Sequence, residues 1–237
     1  MRTGERLALV GAAAVLAAGV AGAATVKPTR DTAVHKPVAT TLPATATTIA
    51  PVPTTGPPSG PGPSSAALAA GMLAPVDLGG FYRVNDPYAE GVLSTAPCLA
   101  GAGPSPAQNG RAVVGLMVPG GHPAVTEVAA SYPGSTAVQV YHSINQSLAA
   151  CTAFPVEMGG VGVTVHLTPQ NLPQVADASS AYGGTFNASG RNQSLQVEVV
   201  LDAKIVVVVV YVDTVPPSNA IYGDLQSTAA AAVGKLA

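Results

Sequence analysis

The chain has 237 residues, of which 48% are hydrophobic and only 9% charged, with two Cys and no Trp. Residues 1–65 carry five basic and two acidic side chains, whereas residues 66–237 carry five basic and ten acidic ones. An acidic domain with no basic cluster is a poor electrostatic match for nucleic acid or anionic lipid, so neither is expected as a partner. No apolar run after residue 24 approaches the roughly 18 residues that a spanning helix needs.

Met1–Ala24 starts with Arg2 and Arg6, continues as an apolar stretch from Leu7, and ends on the small residues Ala21-Gly22-Ala23. This is the pattern of a secretory signal peptide, with cleavage expected near Ala23 or Ala24. The rival reading is an uncleaved N-terminal membrane anchor, barely long enough to span and rich in weakly inserting Ala and Gly. Residues 25–65 contain nine Pro and ten Thr. Such a composition buries too little surface to offset its ordering entropy, so it reads as a disordered, extended Pro/Thr-rich linker. Thr40, Thr41, Thr45, Thr47 and Thr48 also permit an O-glycosylated stalk.

A domain over 66–237 follows. The segment 66–73 with Pro75-Val76-Asp77-Leu78 reads as a short helix followed by a turn at Gly79-Gly80, and 81–98 is irregular and rich in turn residues. Strands are expected at 111–118 and 125–132, separated by Pro119-Gly120-Gly121. A helix from about Ser135, its candidate cap, to Cys151 places Ala137, Tyr141, Ile144, Leu148 and Cys151 on one face. Val161, Val163, Val165 and Leu167 alternate with Gly162, Thr164 and His166, the mark of a half-buried strand. Residues 169–180 read as a loop and 182–186 as a short strand.

Leu195, Val197, Val199 and Leu201 alternate with Gln196, Glu198, Val200 and Asp202, a second half-buried strand. A hairpin turn at Asp202-Ala203 leads into Ile205–Val212, eight β-formers in a row and therefore a strand buried on both faces. Pro216-Pro217-Ser218 ends it and opens a final helix with Ile221, Leu225, Ala229, Ala232 and Leu236 as its stripe. The fold class is α+β: an antiparallel sheet with two main helices packed on it.

Chemistry is sparse. In an exported chain an even cysteine count favours a disulfide, here Cys98 with Cys151; a metal-binding pair would need closer spacing and neighbouring His. His35 lies in the linker, and His122, His142 and His166 read as surface residues. Asp86, Glu90, Glu157 and Asp177 could meet in space, but a solvated acidic surface is the simpler reading. Asn145, Asn187 and Asn192 each head an N-x-Ser sequon. No cofactor, metal or catalytic motif is expected.

The order of segments is distinctive: "LAAGMLAPVDL" opens the domain, and "STAPCLA" holds the first Cys. The unit "VTEVAASYPGSTAVQVYHSINQSLAAC" ends on the second, and "IVVVVVYVD" with "AIYGDLQSTAAAAVGKL" closes the chain. Across residues 66–237 this resembles the extracellular sensor domain of the mycobacterial PknH serine/threonine kinase and related free-standing actinobacterial exported proteins. The resemblance implies an antiparallel sheet with two long helices around a cleft proposed to bind a ligand, and a disulfide between Cys98 and Cys151. The second disulfide and the Trp residues of that sensor domain have no counterparts, so no ligand-binding residues carry over.

The leading expectation is an exported, non-catalytic ligand-binding or sensor-type domain of the cell envelope. Its partner would be a small molecule, an envelope component or a protein. The alternative is a structural or protein-interaction domain of the envelope, and an enzyme with a spatially assembled site is the third reading.

Overall fold

The computed structural model describes residues 60–84, 90, 93, 97–151, 153–158, 161–188, 190–214 and 219–236. The signal or anchor segment 1–24 and linker residues 25–59 lie outside the described residues. Residues 60–65, assigned to the linker by composition, pack onto the domain. Lys204 Nζ donates to Gly60 O at 2.9 Å, Ser131 Oγ donates to Pro63 O, and Ser65 Oγ accepts from Arg111 N at 3.0 Å.

In chain order come α1 (Ser65–Gly71), α2 (Pro75–Leu78), β1 (Tyr82–Arg83), a 3₁₀ turn (Pro97–Ala102), β2 (Gly110–Met117) and β3 (Ala124–Ser131). Then follow α3 (Thr136–Ala149), β4 (Phe154–Met158), β5 (Val161–Val165), β6 (Thr168–Gln170), β7 (Ala178–Ala188), β8 (Arg191–Asp202), β9 (Ile205–Asp213) and α4 (Asn219–Leu236). Seven strands form one sheet in the order β1-β2-β3-β9-β8-β7-β6, and β4 pairs with β5 in a separate ribbon. Every pairing is antiparallel.

The uninterrupted apolar run of β9 is explained by its place at the centre. Val206, Val208, Val210 and Val212 join the core under α3, while Ile205, Val207, Val209 and Tyr211 join the core under α1 and α4. The two long helices therefore lie on opposite faces of the sheet. On the first face α3 buries Ala137, Tyr141, Ile144 and Leu148. On the second, α1 contributes Leu68, and α4 contributes Leu225, Ala229 and Ala232.

Several local expectations are corrected. Ser135 occupies the N-cap position of α3, but its side chain makes no capping bond. The segment expected as a short strand at 182–186 is an eleven-residue strand, β7, because it pairs with nearly the whole of β8. Phe154–Met158 is a strand that sequence pattern alone did not disclose. The half-buried reading of β8 also fails, since nine consecutive residues, 193–201, are buried. Covering helices on both faces remove the solvent side that its polar alternation implied.

Candidate functional site

Cys98 and Cys151 are joined by a disulfide, with Cα atoms 6.0 Å apart. It ties the 3₁₀ turn to the C-terminal end of α3, beside Leu99 and Leu148 of the first core.

The polar groups singled out in the sequence do not converge. His166 is exposed, and His142 lies edge-on to Tyr141 with ring centroids 5.4 Å apart. His122 is half-buried beside Val212, and burial lowers its pKa while Asp213 pulls the other way. Glu90 is paired with Arg111, with Arg111 Nη2 to Glu90 Oε2 at 2.9 Å. Asp177 Oδ2 accepts from Ala203 N at 2.8 Å. Asp86 and the side chain of Glu157 lie outside the described residues.

A different set converges on the second face. Ser194, Gln196 and Glu198 are successive side chains on one side of β8, each at most 1% exposed. Strand geometry alone places them there, since side chains two apart share a face about 6.7 Å from one another. Ser194 Oγ, both polar atoms of Gln196 and both carboxyl oxygens of Glu198 have no hydrogen-bond partner. Buried polar groups are normally satisfied, so a run of three unsatisfied ones is a feature to be explained. Burial lifts the Glu198 carboxyl to about 7. Ser179 on β7 opposes that rise through a side-chain hydrogen bond, and because its Oγ accepts from Val175 N–H at 2.9 Å its own O–H is available to donate to Glu198.

Neighbouring strands define the surroundings. Glu198 stands between Ala181 of β7 and Val209 of β9, and Gln196 between Gly183 and Tyr211. The β7 neighbours are thus small residues, themselves buried. Tyr211 is raised to about 12 by burial, with Asp213 and Asp224 adding to the effect. Across the same row, Glu127 of β3 is fully buried and raised to about 7 by desolvation. Its Oε2 accepts from Leu73 N at 2.8 Å, and its Oε1 is unpartnered.

A shallow, open groove of about 570 Å³ lies where the segment before β7 meets α4, and Ser194, Gln196 and Glu198 are not among its lining residues. Gln174, Val175 and Ala176 form one wall, and Gln226, Ser227 and Ala230 the other. Val175 N–H donates to Ser179 Oγ on β7 at 2.9 Å. Gln226 Nε2 crosses the seam to Pro173 O at 2.8 Å and fastens the two walls.

Sequence reading missed Gln196 and Glu198 because period-2 alternation placed them on a solvent side. The available signal was β9: a strand apolar on both faces requires cover on both, and that cover extends over its neighbour β8. Among the described residues no group of three or more His, Cys, Asp or Glu is arranged to hold a metal ion. No described helix is long and apolar enough to cross a membrane.

No family model and no curated protein matches the chain. Among solved structures, the extracellular domain of PknH from Mycobacterium tuberculosis is similar, with a TM-score of 0.53 and 15% sequence identity. The match covers 76% of this chain and 98% of that domain. The resemblance seen in the sequence is therefore shown as a likeness of fold, an antiparallel sheet with helices packed against it.

Proposed function

We propose that this is an exported, non-catalytic domain of the cell envelope that binds a small ligand at the seam between α4 and the segment preceding β7. The observation that carries the reading is the groove of about 570 Å³ at that seam, walled by Gln174, Val175, Gln226, Ser227 and Ala230. A molecule held there would meet a few polar side chains, Gln174, Gln226 and Ser227, among the apolar Val175, Ala230 and Val233, the usual mix of a small-ligand site. The signal-like N-terminus and the disulfide support export. The similar fold of an extracellular kinase domain agrees with that placement.

Catalysis is not part of the proposal, because the buried row Ser194, Gln196 and Glu198 does not form a nucleophile–base pair. Ser194 and Glu198 are four residues apart on a strand, about 13 Å, which is beyond hydrogen-bond reach. The protein-interaction reading has less to rest on, since the exposed large hydrophobic side chains among the described residues are Val76 and Tyr82.

Mass spectrometry of the full chain purified gently from its native envelope tests the proposal. The expected result is a mass excess under native conditions that disappears on denaturation and is lost in an Ala230→Trp variant, which fills the groove. A bare native mass, with no small molecule from an envelope extract protecting the Val175 amide from exchange, would overturn it.

A further inference from the structure

The polar side chains of the groove walls have already spent most of their protons. Gln174 Nε2 donates to Ala176 O at 3.1 Å and to Asp177 O at 2.6 Å, which uses both of its N–H groups. Gln226 Nε2 donates to Pro173 O at 2.8 Å, and Ser227 Oγ gives its one proton to Asp224 O at 2.9 Å. Every partner is a backbone carbonyl, so the orientation of each amide is fixed: an amide oxygen turned toward a carbonyl would repel it. What the three side chains keep for a ligand is Gln174 Oε1, Gln226 Oε1 and the lone pairs of Ser227 Oγ, against one remaining N–H of Gln226.

The rest of the groove is apolar and roomy. Val175 and Val233, 9% and 7% exposed, join Ala230 as its apolar part. Gln226, Ala230 and Val233 follow at spacings of four and three, so a single face of α4 runs along the groove. From Gln226 to Gly234 that face is about 12 Å long. At its end a Cβ added to Gly234 would meet no atom within 4 Å.

No charged side chain lines the groove. Asp177, beyond one wall, has its Oδ2 engaged by Ala203 N–H, and Asp224 is exposed one turn before Ser227. Lys235, next to Gly234, is held by Asp77 Oδ2 at 2.6 Å. An anion would meet acceptor oxygens and no counter-charge, and a cation would find no carboxylate in the lining to offset its desolvation.

We infer that the groove takes a neutral, polyhydroxylated ring, a saccharide. Its hydroxyl edges donate to Gln174 Oε1 on one wall and to Gln226 Oε1 and Ser227 Oγ on the other, and its C–H face rests on Val175, Ala230 and Val233. This rests on the ligand-binding reading above and names the class of molecule.

The test is an amide-resolved NMR titration of the full chain at pH 7 with maltose, lactose, trehalose and glucose. Glucose 6-phosphate and glucosamine serve as the anionic and cationic analogues of glucose. The expected result is saturable shifts at Val175, Ser227 and Ala230 with at least one of the neutral sugars, and no tighter binding of either charged analogue than of glucose. Ser227→Ala, a change at an exposed position, is expected to weaken binding roughly two- to tenfold, as for one neutral hydrogen bond, with an unchanged circular-dichroism spectrum. Ala230→Trp should abolish it, and so should Gly234→Leu, which fills open space and raises helix propensity. Tighter binding of a charged analogue, or sugar binding undiminished in both filling variants, would overturn the inference. A native mass excess that proves to be an ion or a molecule without hydroxyl groups would overturn it too, leaving the ligand-binding reading in place. A native mass excess that proves to be a neutral glycan would uphold it. Absence of any sugar-induced shift together with a bare native mass sinks both.

Discussion

Glu127 on β3 and Glu198 on β8 stand in one row of the sheet, each paired in register with Val209 of the strand between them. Two strand spacings, about 9.5 Å, separate their backbones. Both side chains are buried on the α4 face, and both are raised by desolvation from 4.5 to about 7. The native state therefore holds protons on these groups up to a higher pH than the unfolded chain does. Their contribution to stability is fully present below about pH 4.5 and is lost as the pH rises through about 7. The loss is about 3 kcal/mol for each group as an upper figure. Thermal unfolding across pH 5 to 8 should show the midpoint falling over that window. Glu127→Gln and Glu198→Gln should each flatten the fall and be more stable than the unsubstituted chain at pH 8. Profiles parallel to the unsubstituted chain would mean that the carboxylates reach solvent or a counter-ion.

Gly184 on β7 sits directly beneath the chain leaving β5. A Cβ added there would collide with the carbonyl oxygen of His166 and would stand 2.7 Å from Val165 Cγ1. Since the obstruction is backbone, no rotamer change relieves it. Gly184→Ala is expected to cost about 1–3 kcal/mol in urea unfolding. A change within 0.5 kcal/mol would show that the β4–β5 ribbon is not held closely against the sheet.

The disulfide between Cys98 and Cys151 closes a loop with a sequence separation of 53. Loop-closure entropy of that length corresponds to about 4 kcal/mol, as an upper figure. The Cys98→Ser/Cys151→Ser double variant should unfold at a lower denaturant midpoint with a similar or larger m-value. An unchanged midpoint would mean that the 3₁₀ turn and the end of α3 are pinned by packing alone. The hydrogen bonds around α3 bear on this. Tyr182 Oη donates to Asn145, and Asn145 Nδ2 donates to Tyr141 O at 2.9 Å, so the middle of α3 has its own anchor.

At the seam, the bond from Gln226 Nε2 to Pro173 O is the side-chain link across the groove mouth. Gln226→Ala should leave global stability within about 0.5 kcal/mol, as for a surface change. It should nevertheless speed amide exchange at Val175, whose N–H is bonded to Ser179. Exchange at Val175 that does not respond would show that the wall of the groove is fixed by the buried Val175 side chain instead.

The contrast between β9 and β8 shows where sequence reading succeeds. Ile205–Val212 is legible because its composition is unambiguous: no register or neighbour could make that run a surface strand. The α3 stripe Ala137, Tyr141, Ile144 and Leu148 is legible for the same reason, since all four are buried as their spacing requires. Gln196 and Glu198 are illegible locally, because the alternation that identifies a strand also assigns its polar side to water. Only the placement of α4 over that side buries them, and placement of a helix is a long-range fact. The same holds for β7, whose Gly, Ser and Ala residues have weak strand propensity and are recruited by pairing with β8.

The β8–β9 hairpin turns through Ala203 and Lys204, with Asp202 paired to Ile205. Ala203 has φ of 48°, a left-handed conformation that an L-residue with a Cβ adopts at a cost of roughly 1–2 kcal/mol. What favours the strained residue is local: its N–H is held by Asp177 Oδ2 at 2.8 Å, and the long β8–β9 ladder fixes the register on either side. Ala203→Gly keeps that N–H and removes the Cβ, at the expense of a more flexible unfolded chain. The balance should be a gain of about 0.5–1 kcal/mol. Asp177→Ala, which removes the acceptor, should lose a similar amount in the Ala203 background and less in the Ala203→Gly background. Equal losses in the two backgrounds would mean that the Asp177 bond does not offset the strain at Ala203.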